Sequence, residues 1–450
     1  MKPSANLSLQ PVAAAVEHPT LTALESLAFN RRYAIPNYLR GIFTPNRLWS
    51  GIGADASAVE LVAGLRRKYH SEYLYVSMLG TRSLLVLDAD GIRHVLEHSP
   101  EIYADPKLKR KGMSHFQPDA LTISRGDDWR ERRRFNEAVL DTGQLHRHGD
   151  AFLVLIRDET GASLQRAGAH LAWPDIATLF ERITLQIVFG RGFAEQSVLD
   201  DLRRMMHESN RGFALGKSRY FDAFYQKLGQ GRREAGEPSL ASRCNQLPAT
   251  AQTRIDNQIP HWLFAMADTL AINTARALAL ILAHPEAQTR VREELAAEDL
   301  GTAQGIQSLR YLEGCVQEAM RLWPTTPMLV RETLKEDTLG GATVAAGTQV
   351  IILNSFNHRD GERLAFADRF TPQLWLERQE HWLFNHMSNG PQGCAGRQLA
   401  LFIAKAVLAN MLMEQRYVLE RPPLDASAPL PHAYNHFDLR FARSSGGGST

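Results

Sequence analysis

The chain has 450 residues, with 51 Lys and Arg against 49 Asp and Glu and only three cysteines. The nearly balanced charge argues against a protein that binds nucleic acid through its overall charge. Three cysteines with no Cys-x-x-Cys pair exclude a disulfide framework and a cysteine-rich zinc module, and they suit a reducing cytosol. No Ser/Gly/Pro-rich linker divides the chain, so we expect one large domain over residues 1–443.

The two ends of the chain are expected to be peripheral. Residues 1–30 predict an N-terminal extension, whose only apolar run, Val12 to Val16, is far too short to span a bilayer. No signal peptide or membrane anchor is visible. Residues 444–450, rich in Ser and Gly, predict a disordered tail.

The first third of the chain combines helices with a pair of strands. Hydrophobic periodicity predicts a helix over 56–70, strands over 73–78 and 83–87, and a helix that begins near Asp88. Between 102 and 125 the periodicity is lost. A surface loop is the simplest interpretation, although a loop of this length usually has a function.

A helix with acidic residues in its first turn begins at Gly126. Trp129 and Arg133 lie four residues apart and therefore share one face of it. Arg130, Arg132 and Arg134 are interpreted as a solvated basic face. Residues 145–250 predict further helices, with breaks at 173–174, 190–192 and 229–238.

A long apolar helix is predicted from Ile259 to Ala283, ending at His284-Pro285. A charge inside so apolar a helix is costly, so Asp268 requires an explanation. Thr269 follows it, and a mid-helix threonine can alternatively hydrogen-bond the carbonyl one turn back without any catalytic role. Met266, two residues before Asp268, is interpreted as a core methionine.

The segment that follows carries a second pair of charges. Glu318 and Arg321 are three residues apart on one face of a helix, with Cys315 as a core residue of the same helix. Residues 330–333 predict a strand that contains Arg331, and residues 336–353 predict Gly-turned hairpins.

Cys394 lies in the Gly- and Pro-rich loop 385–396, directly before an apolar helix over 397–413. Gly390, Gly393 and Gly396 permit tight turns and close approach to a flat ligand. A sulfur at a helix start is near free N–H groups and the positive end of the helix dipole, which favour the thiolate. These features indicate a candidate metal ligand, with an ordinary buried cysteine as the alternative.

In this order, these segments resemble the cytochrome P450 family of haem-thiolate monooxygenases. The cysteine loop resembles the family pattern Phe-x-x-Gly-x-Arg/His-x-Cys-x-Gly. Gly390, Cys394 and Gly396 match it, whereas Met387 replaces Phe, and Gln392 replaces the residue that often offers a cation to a haem propionate. The resemblance covers nearly the whole chain. It implies a soluble, bacterial-type member with a mostly α fold and small β-sheets, and haem between the long central helix and the cysteine-loop helix.

The resemblance also implies roles for individual residues. Cys394 would be the axial ligand of the iron of haem b, and Asp268 and Thr269 the acid-alcohol pair that handles protons. Glu318, Arg321 and Arg369 would form a structural triad. The implied haem contacts are Trp129, Arg133, Arg331, Met387, Gly390, Gln392, Cys394 and Gly396.

The implied reaction is insertion of one oxygen atom from O2 into a hydrophobic small molecule, with secondary metabolism as the expected setting. Electrons from NAD(P)H would arrive through a ferredoxin- or flavodoxin-type partner, for which Arg130, Arg132, Arg134 and Lys405 are docking candidates. A cytoplasmic location is expected. Two alternatives remain open, a peroxide-driven peroxygenase and a non-catalytic haem sensor. The substrate pocket would be lined by residues 102–125, 262–266, 325–329 and 433–437.

Overall fold

The computed structural model describes residues 17–49, 55–211, 216–377 and 381–444. The apolar run Val12 to Val16 and residues 445–450 of the expected tail lie outside the described residues. The single-domain prediction for residues 1–443 stays a prediction.

Helices dominate the described residues. The α-helices are α1 (Ala23–Phe29), α2 (Ile35–Arg40), α3 (Ala56–Tyr69), α4 (Ala89–Glu97), α5 (Lys107–Ser114), α6 (Gly126–Leu140), α7 (Gly149–Ala167), α8 (Trp173–Phe189), α9 (Ser197–Asn210), α10 (Phe221–Glu234), α11 (Leu240–Gln246), α12 (Ile259–Phe264), α13 (Ala271–Ala283), α14 (Pro285–Ala297), α15 (Ala303–Ser308), α16 (Arg310–Leu322), α17 (Asn354–Asn357) and α18 (Arg397–Glu414). The strands are β1 (Tyr73–Met78), β2 (Thr81–Val86), β3 (Tyr103–Ala104), β4 (His170–Ala172), β5 (Leu329–Thr333), β6 (Asp337–Leu339), β7 (Ala342–Val344), β8 (Gln349–Ile352), β9 (Tyr417–Arg421) and β10 (Arg440–Arg443). The predicted class, mostly α with small β-sheets, is confirmed.

The strands form small sheets at the edges of the helical body. One has the order β1-β2-β8-β5-β3, a second has β4-β10-β9, and β6 pairs with β7. The β1–β2 hairpin follows the predicted strands closely. The segment 336–353 supplies one hairpin, β6–β7, while β8 instead joins β2 in parallel and β5 in antiparallel fashion.

The core surrounds the central helix, in which α12 and α13 are joined by one π-helical turn at Ala265–Leu270. All but the last residue of α13 are buried, and α16 and α18 pack against it. The segment Ile255–Ala283 is long and apolar enough to cross a membrane, but 83% of its most apolar window is buried inside the fold. It is therefore a core helix here, which explains why its sequence is apolar on most sides.

Two segments differ from the sequence-based expectation. The segment 102–125 contains β3 and the helix α5, which the periodicity missed because Met113 is the only buried residue of α5. The break predicted at 229–238 begins too early, since Gly229 and Gly231 lie inside α10. Gly231 sits against the Phe189 ring, where a Cβ would lie only 3.0 Å from Cδ1, so close helix packing explains this glycine.

Candidate functional site

The cysteine loop is held by one glycine and one backbone hydrogen bond. Gly390 has a φ of +67°, and a Cβ at this position would lie 2.3 Å from the Leu96 carbonyl oxygen at the end of α4. Only glycine fits such a site without a shift of the backbone. Further along, the Cys394 N–H donates to the Met387 carbonyl at 2.9 Å, and α18 begins three residues later. Met387 and Gly390 thus shape the loop through their backbone.

The Cys394 thiol faces the interior of the molecule. Its surface is accessible to water, yet desolvation by surrounding protein is strong enough to raise the pKa of the thiol. Both observations describe a side chain that lines an internal space, beside which α18 packs on the central helix. Cys244 and Cys315 are instead buried in the apolar core, where burial raises the pKa of both thiols.

The N–H groups at the helix start favour the Cys394 thiolate, as predicted, but they do not decide the pKa of the thiol. Burial is the larger effect, and the Gly396 N–H together with the charges of Arg397 and Arg133 only opposes it. These three groups would stabilise a thiolate once it formed. A coordinated metal cation deprotonates such a thiol outright, so the raised pKa is compatible with a metal ligand.

Arg133 is the implied haem contact that the structure brings directly to the cysteine loop. Its Nη1 donates to the Gly393 carbonyl at 2.6 Å, and its Nε donates to Glu137 at 2.6 Å. Trp129 lies one turn earlier on α6 and is half-buried. A face of α6 therefore borders the loop, as the spacing of four residues predicts.

Two buried side-chain atoms of the implied haem contacts have no hydrogen-bond partner in the described part of the chain. They are Nε of Arg331 and Oε1 of Gln392. Arg331 is 4% exposed, and its Nη1 lies 3.6 Å from Asp105. Buried polar atoms of this kind call for an explanation, and a ligand with anionic oxygens would pair with Arg331. Together with the Cys394 thiol, the Arg331 donor fits a haem with its propionates, whereas Gln392 Oε1 is an acceptor and would not pair with a carboxylate.

Asp268 and Thr269 lie on the π-helical turn of the central helix, which packs against α18. Such turns break the regular backbone ladder and occur frequently at functional sites. Asp268 accepts a hydrogen bond from Arg203 Nη2 at 2.8 Å, and Arg203 Nη1 lies 2.5 Å from Glu181. Burial alone would lower the pKa of Arg203, but the two carboxylates together outweigh it, so that the pKa is raised. Sequence reasoning missed Arg203 and Glu181, because neither lies in a recognisable pattern.

The alternative structural role of Thr269 would require a hydrogen bond from its hydroxyl to the backbone of its own helix. Within the described residues its hydroxyl makes no hydrogen bond to the carbonyl one turn back, whereas Thr274 does, to Leu270 at 2.8 Å. Thr269 is half-buried, as is Ala265 one turn earlier, so this face of the central helix borders an internal space. Met266 is buried in the main apolar cluster, in agreement with its interpretation as a core residue.

Glu318 and Arg321 form a fully buried ion pair, with side chains 0% exposed and an Nη2–Oε1 distance of 2.6 Å. The prediction that the Arg369 side chain completes a triad with this pair is wrong. The Arg369 side chain is exposed, and only its backbone carbonyl accepts from Arg321, at 2.8 Å. The remaining acceptor capacity of Glu318 is taken by the Thr371 N–H and the Trp375 indole N–H, both at 2.9 Å. Indole and backbone donors satisfy the carboxylate without burying a second cation.

The prediction of a docking role for an electron donor is also wrong for two of the four residues, Lys405 and Arg132. Lys405 is fully buried, and its Nζ donates to Gln307 O and Glu313 Oε2 at 2.9 and 2.8 Å. Arg132 is 5% exposed and donates to the Gln252 carbonyl. The periodicity of a single helix cannot distinguish a solvated cation from a buried one that is bonded to a distant segment.

The 102–125 segment does meet the central helix, as expected for a pocket wall. The rings of Phe116 and Phe264 pack edge to face with centroids 6.1 Å apart. His261, one turn before Phe264, has a pKa lowered to about 4 by burial, and its Nδ1 has no partner within the described chain. The contact between the two segments is thus aromatic with an isolated polar atom, a composition typical of small-molecule sites.

Comparisons with known proteins agree with this geometry. A family model described as Cytochrome P450 matches residues 242–433, which contain the central helix, the Glu318–Arg321 pair and the cysteine loop. Over these residues the chain matches the cytochrome P450 family. Two solved P450 structures share its fold: retinoic acid-bound cyanobacterial CYP120A1, with a TM-score of 0.68, 17% identity and coverage of 86% of this chain and 94% of that one, and CYP175A1 from Thermus thermophillus, with a TM-score of 0.65, 18% identity and coverage of 86% and 95%.

Among curated P450 sequences, cytochrome P450 4c3 of Drosophila melanogaster is 29% identical over 206 residues, which is 44% of this chain and 38% of that protein. The chain therefore aligns with well under half the length of this relative. The cyclooctat-9-en-7-ol 5-monooxygenase of Streptomyces melanosporofaciens is 24% identical over 77% of this chain and 83% of the relative.

Proposed function

We propose that this chain is a haem-thiolate monooxygenase that inserts one oxygen atom of O2 into a hydrophobic small molecule. The observation that carries the proposal is the packing of α18, which begins three residues after Cys394, against the central helix and its Asp268–Thr269 turn. A haem held there by the Cys394 thiolate would supply oxygen-activating chemistry, because a thiolate ligand favours O–O cleavage. The name of the Streptomyces relative describes a monooxygenase as well.

The chain's own residues would hold the haem from several sides. Cys394 would supply the axial sulfur, and the backbone around Met387, Gly390 and Gly396 would let the flat ring approach the loop. Trp129, Arg133 and Arg331 would donate to the propionates, with the Gln392 amide as a neutral donor. The orphaned Nε of Arg331 supports this assignment.

Asp268 and Thr269 would move protons on the distal side. The Thr269 hydroxyl is not engaged one turn back and can therefore hold a proton near the reacting oxygen. The Asp268 carboxylate is paired with Arg203 and can exchange that partner for water or the Thr269 hydroxyl. Proton delivery by positioned groups contributes typically about 10²–10⁴-fold in rate.

This proton machinery favours an oxygen-dependent monooxygenase over a peroxide-driven peroxygenase or a haem sensor, neither of which needs it. The electrons would come from NAD(P)H through a ferredoxin- or flavodoxin-type protein. Of the predicted docking residues, Arg130 and Arg134 remain exposed, each paired with neighbouring carboxylates. We also propose a cytoplasmic location, because all three cysteines are free.

The first test concerns the iron ligand. The reduced, CO-bound protein is expected to show the Soret band of a thiolate-ligated haem, and Cys394→Ser is expected to lose it. Cys244→Ser and Cys315→Ser serve as matched controls and should keep the band. A thiolate-type band that survives in Cys394→Ser would refute the assignment.

The second test separates the three functions. Haem-loaded protein is given a ferredoxin system with NADPH, or peroxide alone, in the presence of a substrate found by a spectral binding screen of hydrophobic metabolites. We expect turnover with the ferredoxin system. Thr269→Ala should bind haem and substrate normally but divert electrons into hydrogen peroxide, whereas Asp268→Asn should slow the whole cycle. Wild-type product per NADPH in Thr269→Ala would show that this hydroxyl is structural.

A further inference from the structure

Three arginines from distant parts of the chain line one small cavity. Arg40 ends α2, Arg276 lies in the middle of α13, and Arg359 follows α17. The cavity measures about 20 Å³ as the space open to the centre of a water molecule. A space of this size holds one water molecule or one ion of similar size.

The cavity has more positive than negative charge. Arg359 has a carboxylate partner, Asp368, at 2.7 Å. In the described part of the chain, no carboxylate lies within ion-pairing distance of Arg40 or Arg276. The nearby His432 adds no charge near neutrality, because burial lowers its pKa to about 4.

Arg276 is the most constrained of the three guanidinium groups. It is 4% exposed, and it donates from Nη1 to the Trp323 carbonyl at 2.9 Å and from Nη2 to the Tyr434 carbonyl at 2.8 Å. Its Nε has no partner in the described chain. Burial, together with the charge of Arg40, lowers the pKa of Arg276 to about 9, so the group is still a cation near neutrality.

A second unpartnered donor or acceptor lies beside these charges. His436 is 4% exposed, its Nε2 has no partner in the described residues, and the charges of both Arg276 and Arg40 act on its ring. Buried charge is stable only when it is paired and hydrogen-bonded. Two of the Arg276 nitrogens already donate to backbone carbonyls. A carbonyl carries no net charge, so it does not balance the charge of the guanidinium.

We propose that Arg40 and Arg276 bind one small monovalent anion of about the size of chloride in this cavity. The anion accepts from Arg276 Nε and from Arg40. It compensates charge that the described residues leave unpaired. The cavity volume excludes a second ion and a bulky organic acid.

Such an anion connects three separate parts of the fold. It joins the end of α2 to the central helix and, through the Tyr434 carbonyl on Arg276, to the segment 433–437. The ring of Tyr434 stacks on Trp323 with centroids 4.6 Å apart, so the same site also braces the end of α16. The proposal does not rest on monooxygenase activity, because anion binding is measured without substrate or reductant.

The test is thermal unfolding of the haem-loaded protein at constant ionic strength, with sodium gluconate replaced stepwise by sodium chloride. A ligand that binds only the folded state raises its stability, and a hundredfold excess over Kd should raise the Tm of a chain of this length by about 3 °C. Arg276→Gln should lose the chloride dependence. Arg132→Gln is the matched control, since Arg132 is equally buried and bonded to a carbonyl but lies outside the cavity.

A crystallographic measurement on the unmodified protein covers the case in which Arg276→Gln does not fold. Crystals grown in sodium bromide should show an anomalous peak beside Arg276 Nε. Equal Tm in gluconate and chloride, or bromide peaks only elsewhere, would overturn the proposal. It is likewise wrong if sodium hexanoate stabilises the protein and chloride does not, because the site then takes the carboxylate of an organic ligand.

Discussion

The ion pair of Glu318 and Arg321 offers the sharpest test of how this fold is held together. We consider Glu318→Ala. The carboxylate accepts four hydrogen bonds, from Arg321 Nε at 2.8 Å, Arg321 Nη2 at 2.6 Å, the Thr371 N–H at 2.9 Å and the Trp375 indole at 2.9 Å. The substitution removes all four and leaves a fully buried guanidinium without its counter-charge.

Breaking a buried ion pair by removing one partner costs about 3–5 kcal/mol. The free energy of unfolding of a folded protein is only about 5–15 kcal/mol, so this substitution removes a large fraction of it. We therefore expect little soluble, haem-loaded Glu318→Ala, and a markedly lower denaturant midpoint for any that is recovered.

Arg369→Ala is the matched control for the same cluster. Its side chain is exposed, and the backbone carbonyl that accepts from Arg321 remains after the substitution. We expect wild-type haem content and a denaturant midpoint close to wild type. Equal losses in Glu318→Ala and Arg369→Ala would refute the corrected assignment, and a soluble, haem-loaded Glu318→Ala that lost only turnover would show a chemical role instead.

Two further predictions follow from the loop and from a buried imidazole. Gly390→Ala should cost about 2–4 kcal/mol from left-handed backbone strain and overpacking against the Leu96 carbonyl, whereas Gly396→Ala, whose Cβ would meet Leu140 only at 3.8 Å, should keep the denaturant midpoint. If both variants unfold alike, the close approach at Gly390 is not what holds the loop. His146 is held neutral, because Nδ1 accepts from the His148 N–H while Nε2 donates to a carbonyl, and burial lowers its pKa to about 4. The unfolded state takes up a proton first, so stability present above pH 6.5 is lost as pH falls towards 4, by up to about 3 kcal/mol for this group. The free energy of unfolding, measured by denaturant titration at several pH values in this range, should fall less steeply with decreasing pH in His146→Gln than in the wild type. An unchanged pH dependence would contradict the assignment.

Local patterns were enough to predict most of the elements of this protein. The strands at 73–78, the central helix at 259–283 and the helix after Cys394 follow from periodicity, because each buries a continuous apolar face. The order of the acid-alcohol pair, the Glu-x-x-Arg helix and the cysteine loop was enough to suggest the family. These features depend on neighbours in sequence, which a single chain displays directly.

Only the tertiary structure determined which charged side chains are buried and which partners they have. Lys405 lies in an apolar helix and Arg132 in a basic one, yet both are buried, because the Gln307 carbonyl of α15 and the Gln252 carbonyl of a loop accept from them. Arg369, inside the expected triad motif, points outwards, while Trp375 donates to Glu318 in its place. The pairing of Asp268 with Arg203 joins residues 65 positions apart. The free energy of a charge depends on its solvation and on partners that folding brings from distant segments, and neither is written in local sequence.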